Sequence, residues 1–192
     1  MNHTPLYEGR NIRLTPVDVD KDAPVIADWS CEPQIVSHIR EGTVNPMTLF
    51  EVRKVLENWR NAAENSGHTF LFALRPLEED RLVGFLRMAH VQWVHGAGFF
   101  NLVIGSDEDW KTFAREALAM ALNYAFDELN LFRVTVRIAE DERLALDLFQ
   151  QVKFYLEVRQ RQAVYRDGRF LDRLSFGMLR PEWEAFRVLE VA

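Results

Sequence analysis

The spacing of apolar residues changes between Phe99 and Phe126, and the chain is organised around that change. Phe99-Phe100-Asn101-Leu102-Val103-Ile104 is a short run rich in strand formers that stops at the turn signal Gly105-Ser106-Asp107, so it predicts a buried strand. From Arg115 onward Ala117, Leu118, Ala121, Leu122, Ala125 and Phe126 recur at three-to-four spacing, the stripe of an amphipathic helix. The intervening Asp107 to Ala114 is expected to be a connecting loop. A loop feeding a helix leaves the first N–H groups of that helix unsatisfied, and with the dipole they attract an anion. With Lys111 and Arg115 flanking the point, the pattern predicts an anion site suited to a phosphorylated cofactor.

The same reading extends to both ends. Asn11 to Pro16 predicts a first strand, and Asp18 and Asp20 open a helix carrying Ala23, Ile26, Ala27 and Trp29. Glu32 to Pro46, broken by two prolines and a glycine, predicts irregular chain or a short helical turn bordering a substrate groove. Thr48 with Glu51 three residues on is a capping box for a helix that ends at Asn65-Ser66-Gly67. Thr69 to Leu74 and Arg81 to His90 predict two strands joined by a polar turn over Arg75 to Asp80. The helix after the central strand is expected to close at Asn130. Phe132 to Ile138 alternates apolar and polar residues as a half-covered strand. Glu142 to Val152 predicts a helix. Phe154 to Tyr165 and Phe170 to Leu179 predict a hairpin at Asp167-Gly168, and Pro181 opens a terminal helix. The sum is an α+β fold in one domain over residues 1–192, a mostly antiparallel sheet of about seven strands flanked by helices.

Composition narrows the function. With 23 Lys and Arg against 29 Asp and Glu the net charge is −6, which lacks the basic footprint of a nucleic-acid binder. No stretch is long and apolar enough to span a bilayer, and Met1 to Arg10 has no secretory apolar core. A single cysteine, Cys31, forms no internal disulfide, which fits a reducing, cytoplasmic setting, and it reads as structural. For acid–base chemistry His90 and His95 stand beside a hairpin, and Glu108, Asp141 and Glu142 are the acidic alternatives. None has metal-ligand spacing, so no metal is expected.

The order of elements and several residues resemble the GCN5-related N-acetyltransferase (GNAT) superfamily, within it the branch that acetylates ribosomal-protein N-termini and small amines. The resemblance rests on Arg10 to Pro16, Val103-Ile104-Gly105, Trp110, Glu116-Ala117-Leu118, Leu129 to Val134, Asp167 to Arg173 and Leu179 to Trp183. It implies acetyl transfer from acetyl-CoA to a primary amine, a small molecule or a protein N-terminus, in a ternary complex. A homodimer is carried as a partner state. It further implies cofactor contacts from Leu102, Val103 and Ile104 to pantetheine and the carbonyl. Lys111, Thr112, Phe113, Ala114 and Arg115 would meet the diphosphate, and Asp141 and Phe149 stand at two further signature positions. The chain departs from the family pattern in three places. Thr112 stands for a phosphate-loop glycine, Phe149 for the tyrosine that protonates the thiolate, and Lys153 for the glycine of Gly-Phe. Those departures motivate an alternative, a catalytically degenerate ligand-sensing or protein-interaction module.

Overall fold

A computed structural model describes residues 6–40 and 45–191 of the chain. Strands β1 (Ile12–Thr15), β2 (Phe70–Pro76), β3 (Gly84–Gln92), β4 (Ala97–Ile104), β5 (Arg133–Ala139), β6 (Tyr155–Arg166) and β7 (Arg169–Leu179) form one sheet in the order β1-β2-β3-β4-β5-β7-β6. Among the described residues every neighbouring pair is antiparallel except β4 and β5, which run parallel. Helices α1 (Val19–Trp29), α2 (Pro33–Ile39) and α3 (Leu49–Ser66) precede β2. Helix α4 (Asp107–Asn123) joins β4 to β5, α5 (Arg143–Gln151) follows β5, and α6 (Arg180–Val191) ends the chain.

Alternation along the strands builds two cores. Val103 and Phe85 face Val19, Ala23, Ile26, Val52 and Leu56 of α1 and α3. Leu102, Ile104, Leu86 and Met88 face the opposite way, onto Leu118, Leu122 and Phe126 of the chain after β4 and onto Phe149 of α5. A strand has a side-chain period of two, so neighbours in sequence lie in different cores and every residue of β4 from Leu102 to Ile104 is buried. The capping box of α3 forms as expected, with Thr48 and Glu51 each accepting from the other's backbone N–H. The Asp167-Gly168 turn has φ of 51° and 75°, the doubly left-handed pair that a two-residue hairpin loop requires.

Three expectations are corrected. Asp107 to Ala114 is helix rather than loop. Ser106 is the N-cap and accepts the Asp109 N–H at 3.1 Å, while Asp107, Glu108 and Asp109 fill the first turn with carboxylates, where the helix dipole favours them. These capping signals set the start, whereas apolar spacing could register only turns that face the core. The expected turn over Arg75 to Asp80 begins later, because Arg75 and Pro76 still belong to β2. The Arg75 side chain is buried against Asp22 of α1 at 2.6 Å, a pairing that no local signal announces. Cys31 is exposed, not structural core.

Candidate functional site

Strands β4 and β5 pair only from Ala97↔Arg133 to Phe99↔Thr135 and then part. Each continues with its outer neighbour, β4 with β3 as far as Ile104 and β5 with β7 as far as Ala139. The chain therefore opens in the middle of its own sheet. The side chains of Leu102, Val103 and Ile104 are 7, 3 and 5 % exposed, so what these residues can offer the gap is backbone. Alternate N–H and C=O groups of a strand point to each side, and those of β4 directed at β5 beyond Phe99 have lost their strand partner. A cavity of about 600 Å³ occupies the gap, bordered by β4 from Asn101 to Ile104, by Ser106, Asp107 and Trp110 of the helix start, and by Phe149. An extended chain bearing amide groups, such as pantetheine, fits an edge of that kind.

A second cavity of about 810 Å³ adjoins the first, bordered by Trp59, Arg87, His90, Phe99, Arg173 and the end of β6. Both cavities share His38, Asn101, Arg137, Ile138 and Glu142. At this seam His38 Nε2 lies 2.8 Å from Glu142 Oε2, with side chains 17 % and 10 % exposed. Glu142 Oε1 also accepts the Ala139 N–H at 2.9 Å and lies 3.6 Å from Arg166. Burial by itself would raise the Glu142 carboxyl. The charge and hydrogen bond of His38, the Ala139 N–H and the Arg166 guanidinium outweigh burial, and the net direction is downward. Glu142 is thus held ionised beside an imidazole, and that imidazole borders both cavities.

Several predicted site residues come together here and others do not. Leu102, Val103, Ile104, Asp141 and Phe149 border the first cavity, and His90 borders the second. Phe149 is 1 % exposed and packs its ring against Phe154 and Phe100, so no hydroxyl replaces the family tyrosine at this position. His95 sits in an exposed turn of 3-10 helix and Glu108 on the exposed first turn of α4, and neither borders either cavity. Lys111, Thr112, Phe113, Ala114 and Arg115, expected to meet a diphosphate, belong to a helix rather than to a loop. They lie in the second and third turns of α4, where backbone N–H groups are used inside the helix, and none borders the cavity. Phe113 and Ala114 point into the core, and the Thr112 hydroxyl donates to the Glu108 carbonyl.

The helix end that does border the cavity is acidic. Asp109 is bound by both arms of Arg81 at 2.8 and 3.0 Å, and those hydrogen bonds hold its carboxyl below the usual carboxylate range. Asp107, which borders the cavity, has no such partner among the described residues. Removing its charge with Asp107→Asn is expected to tighten acetyl-CoA binding about two- to fivefold, because a helix-terminus charge is worth about 0.3–1 kcal/mol. Calorimetric titration checks this, and unchanged or weaker binding would place the diphosphate elsewhere.

Sequence reasoning missed His38. It lies in the segment expected to be irregular, and a lone histidine there carries no spacing signal. Residues 41–44 of this segment lie outside the described residues, and its helix α2 borders both cavities. Among the described residues no group of three or more His, Cys, Asp or Glu side chains is placed to hold a metal ion. No helix among them is long and apolar enough to cross a membrane.

Comparison with known proteins gives the same fold. The model of the family described as acetyltransferase (GNAT) domain matches residues 11–154. The spermidine N(1)-acetyltransferase of Vibrio cholerae is 26% identical over 94 residues, 49% of this chain and 54% of that protein, so the match spans about half of that relative's length. The uncharacterized N-acetyltransferase p20 of Bacillus licheniformis is 22% identical over 85% of this chain and 90% of its own. Among solved structures, spermidine N-acetyltransferase from Vibrio cholerae in complex with CoA and spermine superposes with a TM-score of 0.75 at 18% identity, covering 92% of this chain and 99% of that one.

Proposed function

The chain belongs to the acetyltransferase (GNAT) family, and from that premise we propose that it is an N-acetyltransferase acting on a primary amine with both substrates bound together. Acetyl-CoA, when bound, supplies an activated thioester. The observation that carries the reading is the His38–Glu142 pair at the seam of two adjoining cavities. Holding two reactants in register contributes roughly 7–11 kcal/mol in favourable systems, so adjacency is itself most of the catalyst.

The remaining need is proton management. An amine enters as an ammonium ion and must lose a proton before its nitrogen can form the N–C bond. When the C–S bond breaks, the leaving sulfur has to gain a proton. His38 borders both cavities, so one imidazole can take the first proton and return one on the thioester side. Glu142 holds the ring with an ionised oxygen on Nε2 and offsets the charge the ring acquires. This answers the absent tyrosine, because Phe149 offers no proton. Backbone N–H groups of β4 facing the gap are the donors available to a developing oxyanion. The finer resemblance, to enzymes acting on ribosomal-protein N-termini, leaves a protein N-terminus and a small amine both as acceptors to be tested.

The test is release of free thiol from acetyl-CoA with a panel of amines, together with the melting-temperature shift produced by acetyl-CoA. A ligand at about 100 times its Kd adds about 2.7 kcal/mol, roughly 5–11 °C for a chain of this size. Amine-dependent thiol release supports the reading. No shift and no release would overturn it in favour of a non-catalytic module, a reading that the acidic first turn of α4 motivates.

A further inference from the structure

The second cavity has a charge character opposite to that of the whole chain. The protein carries net −6, yet Arg40, Arg87, Arg137, Arg166 and Arg173 all border this cavity, and Glu142 is its sole carboxylate among the described residues. Some of these arginines are committed. Arg40 pairs with Glu51 at 3.5 Å, and Arg166 bonds Asp141 at 3.1 Å. Arg137 and Arg173 have no carboxylate partner among the described residues. Arg137 stacks over the Phe99 ring at 4.4 Å, which fixes the guanidinium plane and leaves its N–H edges available.

Their placement in the sheet is specific. Arg137 pairs with Ser175 and Ala139 with Arg173 across β5 and β7, so Arg137 and Arg173 are diagonal neighbours on one face. Both side chains are exposed, so water screens their mutual repulsion, and an oxyanion between them gains two charge-assisted contacts. An independent observation points the same way. Arg166 has a side chain only 2 % exposed and borders the cavity, and although its guanidinium bonds Asp141 and Ser37, its Nε has no hydrogen-bond partner among the described residues. Buried polar atoms are ordinarily paired, so this N–H awaits an acceptor.

We infer that the acceptor is an amine that also carries a carboxylate, with its ammonium towards Glu142 and its carboxylate on Arg137 and Arg173. The inference rests on the N-acetyltransferase reading and specifies its substrate. Acid and guanidinium groups lie close together here: Arg137 shares the seam with Glu142, and Arg173 is the cross-strand partner of Ala139, whose N–H Glu142 accepts. A zwitterion finds a partner for each of its charges, whereas a polyamine such as spermidine finds one carboxylate among several repelling guanidinium groups. The same chemistry is offered by free amino acids and by peptides with acidic residues next to a free N-terminus.

The experiment measures kcat/KM for acetyl-CoA-dependent acetylation of matched acceptors. These are L-phenylalanine against L-phenylalaninamide, L-aspartate, spermidine, and a tetrapeptide amide with two glutamates after its N-terminal serine. Calorimetry with L-phenylalanine and L-phenylalaninamide in the presence of CoA gives a binding readout independent of turnover. A carboxylate-bearing acceptor is expected to exceed its amide and spermidine at least tenfold in kcat/KM. Arg173→Gln is expected to raise KM about tenfold for that acceptor while leaving KM for acetyl-CoA and for the amide unchanged. Arg137→Gln, on a different strand, repeats the test should Arg173→Gln fold poorly. The free amino acids outrunning the peptide assigns a small-molecule source, and the reverse assigns a peptide. Preference for spermidine, or equal binding of amide and carboxylate, overturns this inference while acetyl transfer stands. Absence of acetyl-CoA binding and of transfer to every amine overturns the acetyltransferase reading itself.

Discussion

Changing Glu142 to glutamine is expected to lower kcat for acetyl transfer about 10²- to 10⁴-fold, the usual range for general acid–base assistance, with acetyl-CoA affinity changed less than about threefold. Glutamine keeps the shape but presents a neutral amide to His38, so the imidazole is no longer held by an ionised oxygen and loses its charge compensation. Arg166 keeps Asp141 at 3.1 Å in the variant, so the loss falls on the dyad more than on folding. His38→Gln should be equally damaging, and the double variant little worse than either single one, because groups that act as a unit are not additive. Additive losses in steady-state kinetics would show that the two residues serve separate purposes.

Glu142 also makes a pH prediction. Its carboxyl titrates lower in the folded protein than the ordinary value of 4.5 for a free glutamate. A depressed folded value means the unfolded chain takes up the proton first. The stability that this residue contributes is therefore complete above the unfolded value and is lost as pH falls through the lower folded one. Urea denaturation of parent and Glu142→Gln should show a difference near neutral pH that shrinks below about pH 4.5. A difference that instead grows on acidification contradicts an ionised Glu142 in the folded state.

The largest stability effect is expected at the other buried ion pair. Asp22→Ala should cost about 3–5 kcal/mol, because it strands the Arg75 guanidinium where the side chain is only 5 % exposed. Asp22 also accepts the Asp18 N–H at 2.9 Å, so the start of α1 loses a contact as well. Arg75 would retain Thr15 Oγ1 at 3.1 Å, the Asp80 carbonyl at 3.0 Å and the exposed Asp80 carboxylate at 3.8 Å, of which only the last offsets part of its charge. At about 2–4 °C per kcal/mol the expected fall in Tm is roughly 6–20 °C. Replacing both partners with apolar residues should recover much of that loss, since a buried pair contributes little beyond its own desolvation. A loss below about 1 kcal/mol in Asp22→Ala would mean that water reaches Arg75.

The amino-acid order by itself determined the elements whose cause is local. The capping box at Thr48 and Glu51, the left-handed Asp167-Gly168 turn, and the alternating strand from Phe132 each follow from a few adjacent residues, and each forms. The resemblance to the acetyltransferase family also gave the fold. The start of α4 was legible too, but in Ser106 and the three acids after it rather than in the apolar stripe, and reading only the stripe displaced the helix by two turns. What only tertiary structure decided is every contact made across the chain. His38 and Glu142 are 104 positions apart and meet because β4 and β5 separate there, exposing the seam to α2. Arg137 and Arg173 become neighbours through the β5–β7 register, and Asp22 meets Arg75 through the packing of α1 on β2. Local propensity fixes a residue's backbone state, but which charged groups share a low-dielectric space depends on how sheet and helices close around it.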